Sequence, residues 1–238
     1  MVNVICMKWG TVYGPNYVNH LRSMVRRNLK LKHRFVCFTD DIRGVEPDIE
    51  IHPLPKVHSH PGPERFWNKL GIFAKPLSNI TGSVLCLDLD VVIVDCIDCF
   101  FEAKGDFFMV RDYHRHKSGA ASGNMSVCRY EAGRHANILE KFERDPEAVE
   151  ANYKFDQEFV SGNVPKVEFW PEAWCPSFKK HCLFRVPRCY FETPRIPPGA
   201  RIVVFHGHPK PPDAARGCLV RNGIKYCRPT PWVKEHWW

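Results

Sequence analysis

The most apolar stretch of the sequence, VLCLDLDVVIV from Val84 to Val94, is interrupted only by two aspartates. The run predicts a strand, and residues two apart project from the same side of a strand, so Asp88 and Asp90 would face the same ligand. A buried carboxylate without a partner is strongly disfavoured. The tripeptide alone is weak evidence, but in this apolar setting it predicts a divalent cation shared by both carboxylates.

Shorter apolar runs alternate with helical patterns along the rest of the chain. Runs over residues 3–7, 34–38, 49–52, 107–110 and 201–205 predict further strands, while residues 17–29, 67–73 and a segment starting near Ala132 predict helices. Strands that alternate with helices favour an α/β fold, in which a mostly parallel sheet is flanked by helices.

Polar residues follow several of these predicted strands. They are Lys8-Trp9, Thr39-Asp40, Asp88-Leu89-Asp90 and His206-Gly207. Ligands of open parallel sheets bind outside the carboxyl ends of the strands. We therefore expect one ligand site that gathers these residues.

The composition is compatible with one domain and with a phosphate-bearing ligand. The chain has 238 residues, 44% of them hydrophobic, and a formal net charge of +8. Nucleic acid would also suit that charge. We find neither a signal-peptide pattern nor an apolar stretch long enough to cross a membrane, so a cytoplasmic protein is expected, with peripheral membrane contact left open.

The eleven cysteines do not suggest a disulfide framework, because their number is odd and the longer gaps follow no pattern. Cys6, Cys37, Cys86 and Cys128 lie in apolar runs, where a thiol behaves as a small core residue. The C-x-x-C pair at residues 96–99 has no second pair to complete a zinc site. We expect free structural thiols.

His206 is a third candidate metal ligand, because it follows an apolar strand as Asp88 does. One imidazole beside two carboxylates suits Mn²⁺, with Mg²⁺ next. The metal would hold a diphosphate, with help from the Gly207 backbone and the Lys210 ammonium. Alternatively, His206 is a hydrogen-bonded structural residue and Lys210 a solvated surface charge.

The residues so far described, with Asn124, Asp156-Gln157 and the sequence HGHPKP at 206–211, resemble the glycogenin-like retaining glycosyltransferases of the GT-A fold, which include bacterial lipopolysaccharide galactosyl- and glucosyltransferases. The opening MKWGT-x-YG is also similar to a set of bacterial proteins of this length. The resemblance covers residues 3–213 and implies a GT-A domain at 1–213, followed by a basic, Trp-rich tail at 214–238 that packs on it.

The resemblance also implies a function and a role for each position. The function is transfer of a sugar, with retention, from a nucleotide diphosphate donor, usually UDP-linked, to a hydroxyl of a glycan or other acceptor. The metal ligands would be Asp88, Asp90 and His206. The residues that contact the donor would be Lys8, Trp9, Tyr13, Asp40, Lys69, Leu89, Gly207 and Lys210. The residues at the reaction centre would be Asn124, Asp156 and Gln157. Asp156-Gln157 is also a favourable helix start.

Two other functions remain open at this point. A sugar-phosphate nucleotidyltransferase would use a similar sheet and paired aspartates, but the loop at 10–15 lacks the expected basic residues. A nucleic-acid binder would cluster basic residues with exposed aromatics, as only residues 216–238 do. We hypothesise instead that this tail folds over the donor or contacts the acceptor. The polar run at 112–123 is a candidate for acceptor selection or a solvated loop.

Overall fold

The computed structural model describes residues 1–58, 66–113, 122–220, 223 and 225–238. The parts of the predicted loops at 59–65 and 114–121 lie outside this range. The strands are β1 (Val2–Lys8), β2 (His33–Thr39), β3 (Glu50–His52), β4 (Ser83–Leu87), β5 (Val91–Ile93), β6 (Phe108–Arg111), β7 (Gly123–Glu131), β8 (Glu168–Phe169), β9 (Ile202–Val204), β10 (Cys218–Val220) and β11 (Lys225–Cys227).

The helices flank these strands. They are α1 (Pro15–Asn28), α2 (Cys99–Glu102), α3 (Ala136–Arg144), α4 (Pro146–Asn152), α5 (Asp156–Asn163), α6 (Pro211–Arg216) and α7 (Pro231–His236), with 3₁₀ turns at Phe66–Phe73 and Arg188–Tyr190 and a five-residue π-helical turn at Phe178–Cys182. No helix in the described ranges is long and apolar enough to span a bilayer.

Within the described residues, seven strands form one sheet in the order β3-β2-β1-β4-β7-β6-β8. Strands β3, β2, β1 and β4 run parallel, β7 is antiparallel to β4 and β6, and β8 is parallel to β6. The predicted α/β class with a mostly parallel sheet is confirmed. Because β7 runs opposite to β4, the start of β7 lies at the same edge as the carboxyl ends of β1, β2 and β4.

The hydrophobic core covers both faces of this sheet. Alternate residues of β1 point to opposite sides, with Val4 and Cys6 in one buried cluster and Ile5 and Met7 in the other. The apolar face of α1 packs into the first cluster. Cys6, Cys37, Cys86 and Cys128 are buried, and all eleven cysteines are free, as the sequence predicted.

The prediction of one strand over 84–94 is wrong. The chain leaves the sheet after Leu87, turns through residues 88–90, and enters β5, which pairs antiparallel with β9 outside the main sheet. The turn lets both aspartates reach basic partners in a cleft, which a continuous buried strand would deny to them. The predicted strand at 201–205 is present as β9, paired with β5.

Two further differences concern the middle of the chain. Strand β7 occupies residues for which the sequence predicted no element, since Asn124, Ser126 and Arg129 interrupt its apolar pattern. Helix α3 consequently begins at Ala136 and not near Ala132, because β7 extends to Glu131 and a turn follows.

Candidate active site

A cleft of about 890 Å³ opens at the carboxyl edge of the sheet. The predicted site residues that line it are Trp9, Tyr13, Lys69, Asp88, Leu89, Asp90, Asn124, Asp156, Gln157, His206, Gly207 and Lys210. Lys8 and Asp40 do not line it: Lys8 is buried at the end of β1, and Asp40 accepts a hydrogen bond from the Gly10 amide at 3.2 Å. Asp40 thus helps to hold the loop that forms the rim.

Each aspartate of the turn is paired with one lysine. Lys69, on the 3₁₀ turn, contacts Asp88 Oδ1 and also donates to the Met125 carbonyl at 2.8 Å. Lys210 contacts Asp90 Oδ2, which also accepts the Tyr13 hydroxyl hydrogen bond at 2.8 Å. The charges of the two carboxylates are therefore matched locally by two ammonium groups.

Burial and these neighbours shift the pKa values of the group. Burial raises the pKa of Asp90, Lys210 opposes the rise, and Asp88 adds to it by repulsion. For Lys69, burial alone would lower the pKa, but attraction by Asp88 and other neighbours raises it above its ordinary value. Lys69 is accordingly a permanent cation beneath the cleft.

The two carboxylates fit a cation, whereas the third predicted ligand, His206, is hydrogen-bonded to another residue of the protein. Asp88 Oδ2 and Asp90 Oδ1 make no hydrogen bond or ion pair in the described part of the chain, so each aspartate keeps one oxygen for a metal. His206 instead places Nε2 2.7 Å from Ser177 Oγ and stacks on Tyr113, with ring centroids 5.0 Å apart. Among the described residues, no three His, Cys, Asp or Glu side chains form a ready-made metal cluster.

The three residues predicted for the reaction centre come from two elements. Asn124 lies at the start of β7, where its Oδ1 accepts the Ser126 amide at 2.9 Å. The Ser126 carbonyl in turn accepts the Asp88 amide at 2.9 Å, which ties β7 to the turn. Asp156 and Gln157 begin α5, but the N-cap is Phe155, so Asp156 does not occupy the cap position that its sequence favoured.

Asp156 is, like Asp90, a buried acid of this cleft. It is 8% exposed, and burial raises its pKa to about 6 although the nearby Lys69 lowers it. Both its protonated and its ionised forms are therefore accessible near neutral pH, a property found at many catalytic sites.

Some residues of the site carried no sequence signal. Ser177, which holds His206, is fully buried and lies in a Pro- and aromatic-rich segment without periodicity. Conversely, a segment that the sequence proposed for the site does not reach it. None of the described residues in 216–238 lines the cleft, so the hypothesis that this tail folds over the donor gains no support from the geometry.

The fold is shared with solved glycosyltransferase structures. The galactosyltransferase LgtC, determined in complex with donor and acceptor sugar analogs, matches 88% of this chain over 89% of its own, with a TM-score of 0.62 and 14% identity. The glycosyltransferase GlyE of Streptococcus pneumoniae TIGR4 matches 89% of this chain over 56% of its own, with a TM-score of 0.59 and 14% identity. No protein-family model and no curated protein matches the sequence. At this identity the likeness establishes the GT-A fold.

Proposed function

We propose that the chain is a metal-dependent glycosyltransferase that moves a sugar from a nucleotide diphosphate donor to an acceptor hydroxyl. The observation that carries this proposal is the pair Asp88 and Asp90 in a large cleft at the carboxyl edge of the sheet, each with one oxygen that has no hydrogen bond among the described residues. The fold shared with LgtC and GlyE, which are glycosyltransferases, supports the same function.

The donor would lie along the cleft from its rim to the turn. Trp9 and Tyr13 line the rim where a base and ribose would bind, with Asp40 and Lys8 behind them. Asp88, Asp90 and, after leaving Ser177, His206 would hold Mn²⁺ or Mg²⁺, which would neutralise the diphosphate and favour its departure. Lys210 and the Gly207 backbone would contact the same phosphates.

Asn124, Asp156 and Gln157 would surround the donor sugar and the acceptor hydroxyl. In a same-face transfer the bond from the anomeric carbon to the phosphate oxygen breaks, the acceptor oxygen bonds to that carbon, and the departing phosphate oxygen takes the acceptor proton. The protein then contributes orientation and charge stabilisation. Retention by this route is our preferred mechanism, with UDP as the nucleotide.

Calorimetric titration of UDP into the protein, with Mn²⁺ and in a chelator, tests the proposal. Binding should require Mn²⁺ and should weaken at least about tenfold in Asp90→Ala, because a buried charged contact is lost. Asp106→Ala, which removes an exposed carboxylate paired with Arg134, is the matched control and should bind normally. UDP binding that ignores both Mn²⁺ and Asp90→Ala would contradict the proposal.

A second assay separates the two related reactions. The protein is incubated with Mn²⁺ and either UDP-sugars or UTP plus sugar 1-phosphates, and release of UDP or of pyrophosphate is measured. Slow UDP release from one UDP-sugar is expected. Pyrophosphate release from UTP would instead identify a nucleotidyltransferase.

A further inference from the structure

Lys179 lies beside the cleft without a partner. It is half-buried in the turn Phe178–Cys182, and its side chain makes no hydrogen bond or ion pair with the residues that the structure describes. Its Nζ is 3.3 Å from the position that a Cβ on Gly207 would occupy. The ammonium therefore lies against the backbone of a residue that lines the cleft.

Strong contacts fix Lys179 in this place. The preceding residue, Phe178, is fully buried and stacks on Phe205, with ring centroids 4.4 Å apart. Ser177 forms a parallel bridge with Val204 and bonds to the imidazole of His206. The segment that carries Lys179 is thus held against residues 204–206, which directly precede Gly207, so the fold fixes the position of the lysine backbone.

The charges around Lys179 are unbalanced. Burial lowers its pKa, and repulsion by Lys210 and then Lys180 lowers it further, while no carboxylate of the described residues opposes them. Lys210 and Lys69 differ, since each has an aspartate in contact. An ammonium kept half-buried beside another one, without an anion, is an arrangement that a bound anion would stabilise.

We propose that Lys179 is a second cation for the diphosphate of the donor, and that it acts there together with Lys210. This inference rests on the proposed function and adds a residue to it. Gly207 is exposed and has a φ of +72°, which residues with a side chain rarely adopt, and a Cβ at this position would lie 3.3 Å from the Lys179 ammonium. The glycine therefore keeps the space next to this ammonium free of a side chain.

The charge balance of the cleft supports this role. Lys69 and Lys210 already match Asp88 and Asp90, and Asp156 adds at most one further negative charge. A divalent cation and Lys179 would therefore leave the cleft with a net positive charge, which a diphosphate would neutralise. A nucleoside diphosphate carries two to three negative charges. As the sugar leaves, charge accumulates on the phosphate oxygens, and an ammonium fixed nearby stabilises it.

The test compares Lys179→Gln, Lys179→Arg and Lys180→Gln with the wild type by calorimetric titration of UDP in Mn²⁺. Lys180→Gln is the matched control because it removes the same charge one residue away, from an ammonium bonded to the Tyr113 carbonyl. We expect Lys179→Gln to bind UDP about tenfold or more weakly, as the loss of a charge-assisted hydrogen bond predicts, Lys179→Arg to recover part of this, and Lys180→Gln to stay within about twofold.

Two readouts distinguish ligand contact from a structural role. The thermal unfolding temperature of Lys179→Gln should equal or exceed that of the wild type, because an unpaired half-buried charge is removed. The UDP affinity of the wild type should fall more steeply with salt than that of the variant. Unchanged UDP affinity in Lys179→Gln, or a loss of affinity explained by a lower unfolding temperature, would overturn the inference.

Failure of the proposed function gives a different pattern. If the wild type binds UDP and Lys179→Gln binds it equally well, only the inference on Lys179 fails. If the wild type binds no nucleotide, the proposed function fails, and inorganic pyrophosphate becomes the probe. Pyrophosphate binding that Lys179→Gln loses would support the anion site by itself, and absence of pyrophosphate binding would overturn that site as well.

Discussion

The cleft and the C-terminal segment at 216–238 contain the same kinds of residue, basic side chains and aromatic rings, in opposite arrangements. In the cleft, Lys69 and Lys210 contact the carboxylates of the 88–90 turn. At the C-terminal segment, Arg27 of α1 lies 3.7 Å over the ring of Trp238 and donates to the Trp238 carbonyl at 2.6 Å. In the cleft, basic residues thus neutralise carboxylates, whereas at the C-terminal segment a basic residue of α1 binds the last tryptophan.

The aromatic rings differ in the same way. Trp9 and Tyr13 line open space, whereas Trp237 packs on Tyr17 and His20, with ring centroids 5.1 and 4.5 Å apart. Tail residues such as Val233 are fully buried. Composition alone made the tail a candidate for covering the donor, but its contacts are those of a segment that stabilises the fold. What a basic or aromatic residue does depends on its burial and partner.

The largest contrast is expected between ion pairs of the two regions. Lys69→Met should lower the free energy of unfolding by about 2–4 kcal/mol, because it leaves Asp88 without its partner in a partly buried site. Arg216→Met, which breaks an exposed pair with Asp213, should cost less than about 0.5 kcal/mol. Urea denaturation in a chelating buffer measures both. Equal losses of unfolding free energy in the two variants would show that the burial of an ion pair does not determine its contribution to stability here.

A smaller effect of opposite sign is expected from Asp156→Asn. The folded pKa of about 6 lies above the ordinary value of 3.8, so ionisation of Asp156 disfavours the folded state. This cost is absent below about pH 4, grows up to about pH 6 and is constant above it. The variant should therefore be more stable by about 1–3 kcal/mol at pH 8, with a gain that shrinks as pH falls towards 4.

Denaturation curves of wild type and Asp156→Asn at pH 8 and pH 5 measure this gain, and sugar transfer by the variant is measured in parallel. Lower activity with higher stability would place Asp156 among residues kept for function at a cost in stability. A variant less stable than wild type at pH 8 would contradict the raised pKa.

The smallest effect concerns the tail. Trp237→Ala should lose about 1–2 kcal/mol of stability, less than a fully buried tryptophan would, because the ring is only half-buried. Its affinity for UDP in Mn²⁺, measured by calorimetry, should stay within about twofold of the wild type. Reduced UDP affinity without reduced stability would instead support the hypothesis that the tail contacts the donor.

The sequence predicted those parts of the site that depend on local pattern. Asp88, Asp90 and Lys210 stand out because charged residues beside apolar strands are unusual. The rule that parallel strands bring their carboxyl ends together applies to β1, β2 and β4, whereas Lys210 follows β9, which pairs with β5 outside the main sheet. The α/β fold class was predicted from the alternation of strand and helix patterns along the sequence. The individual roles of these residues remain predictions.

The missed parts depend on contacts between distant segments. Strand β7 is antiparallel and interrupted by polar residues, so its pattern did not indicate a strand, and the tie between Ser126 and Asp88 could not be anticipated. Ser177 and Lys179 lie in a short irregular turn without periodicity. Their importance comes from His206 and Gly207, nearly thirty residues further along the chain.

The position of the metal tests most directly whether Asp88 and Asp90 bind a cation for the donor diphosphate. Crystals grown with Mn²⁺ and UDP would be measured at the manganese absorption edge, where anomalous scattering locates the ion. We expect one peak bonded to Asp88 and Asp90 and to the phosphates of UDP, at metal–oxygen distances of about 2.2 Å. A peak elsewhere, or UDP bound in the cleft with no metal between it and the two aspartates, would contradict the proposed metal site.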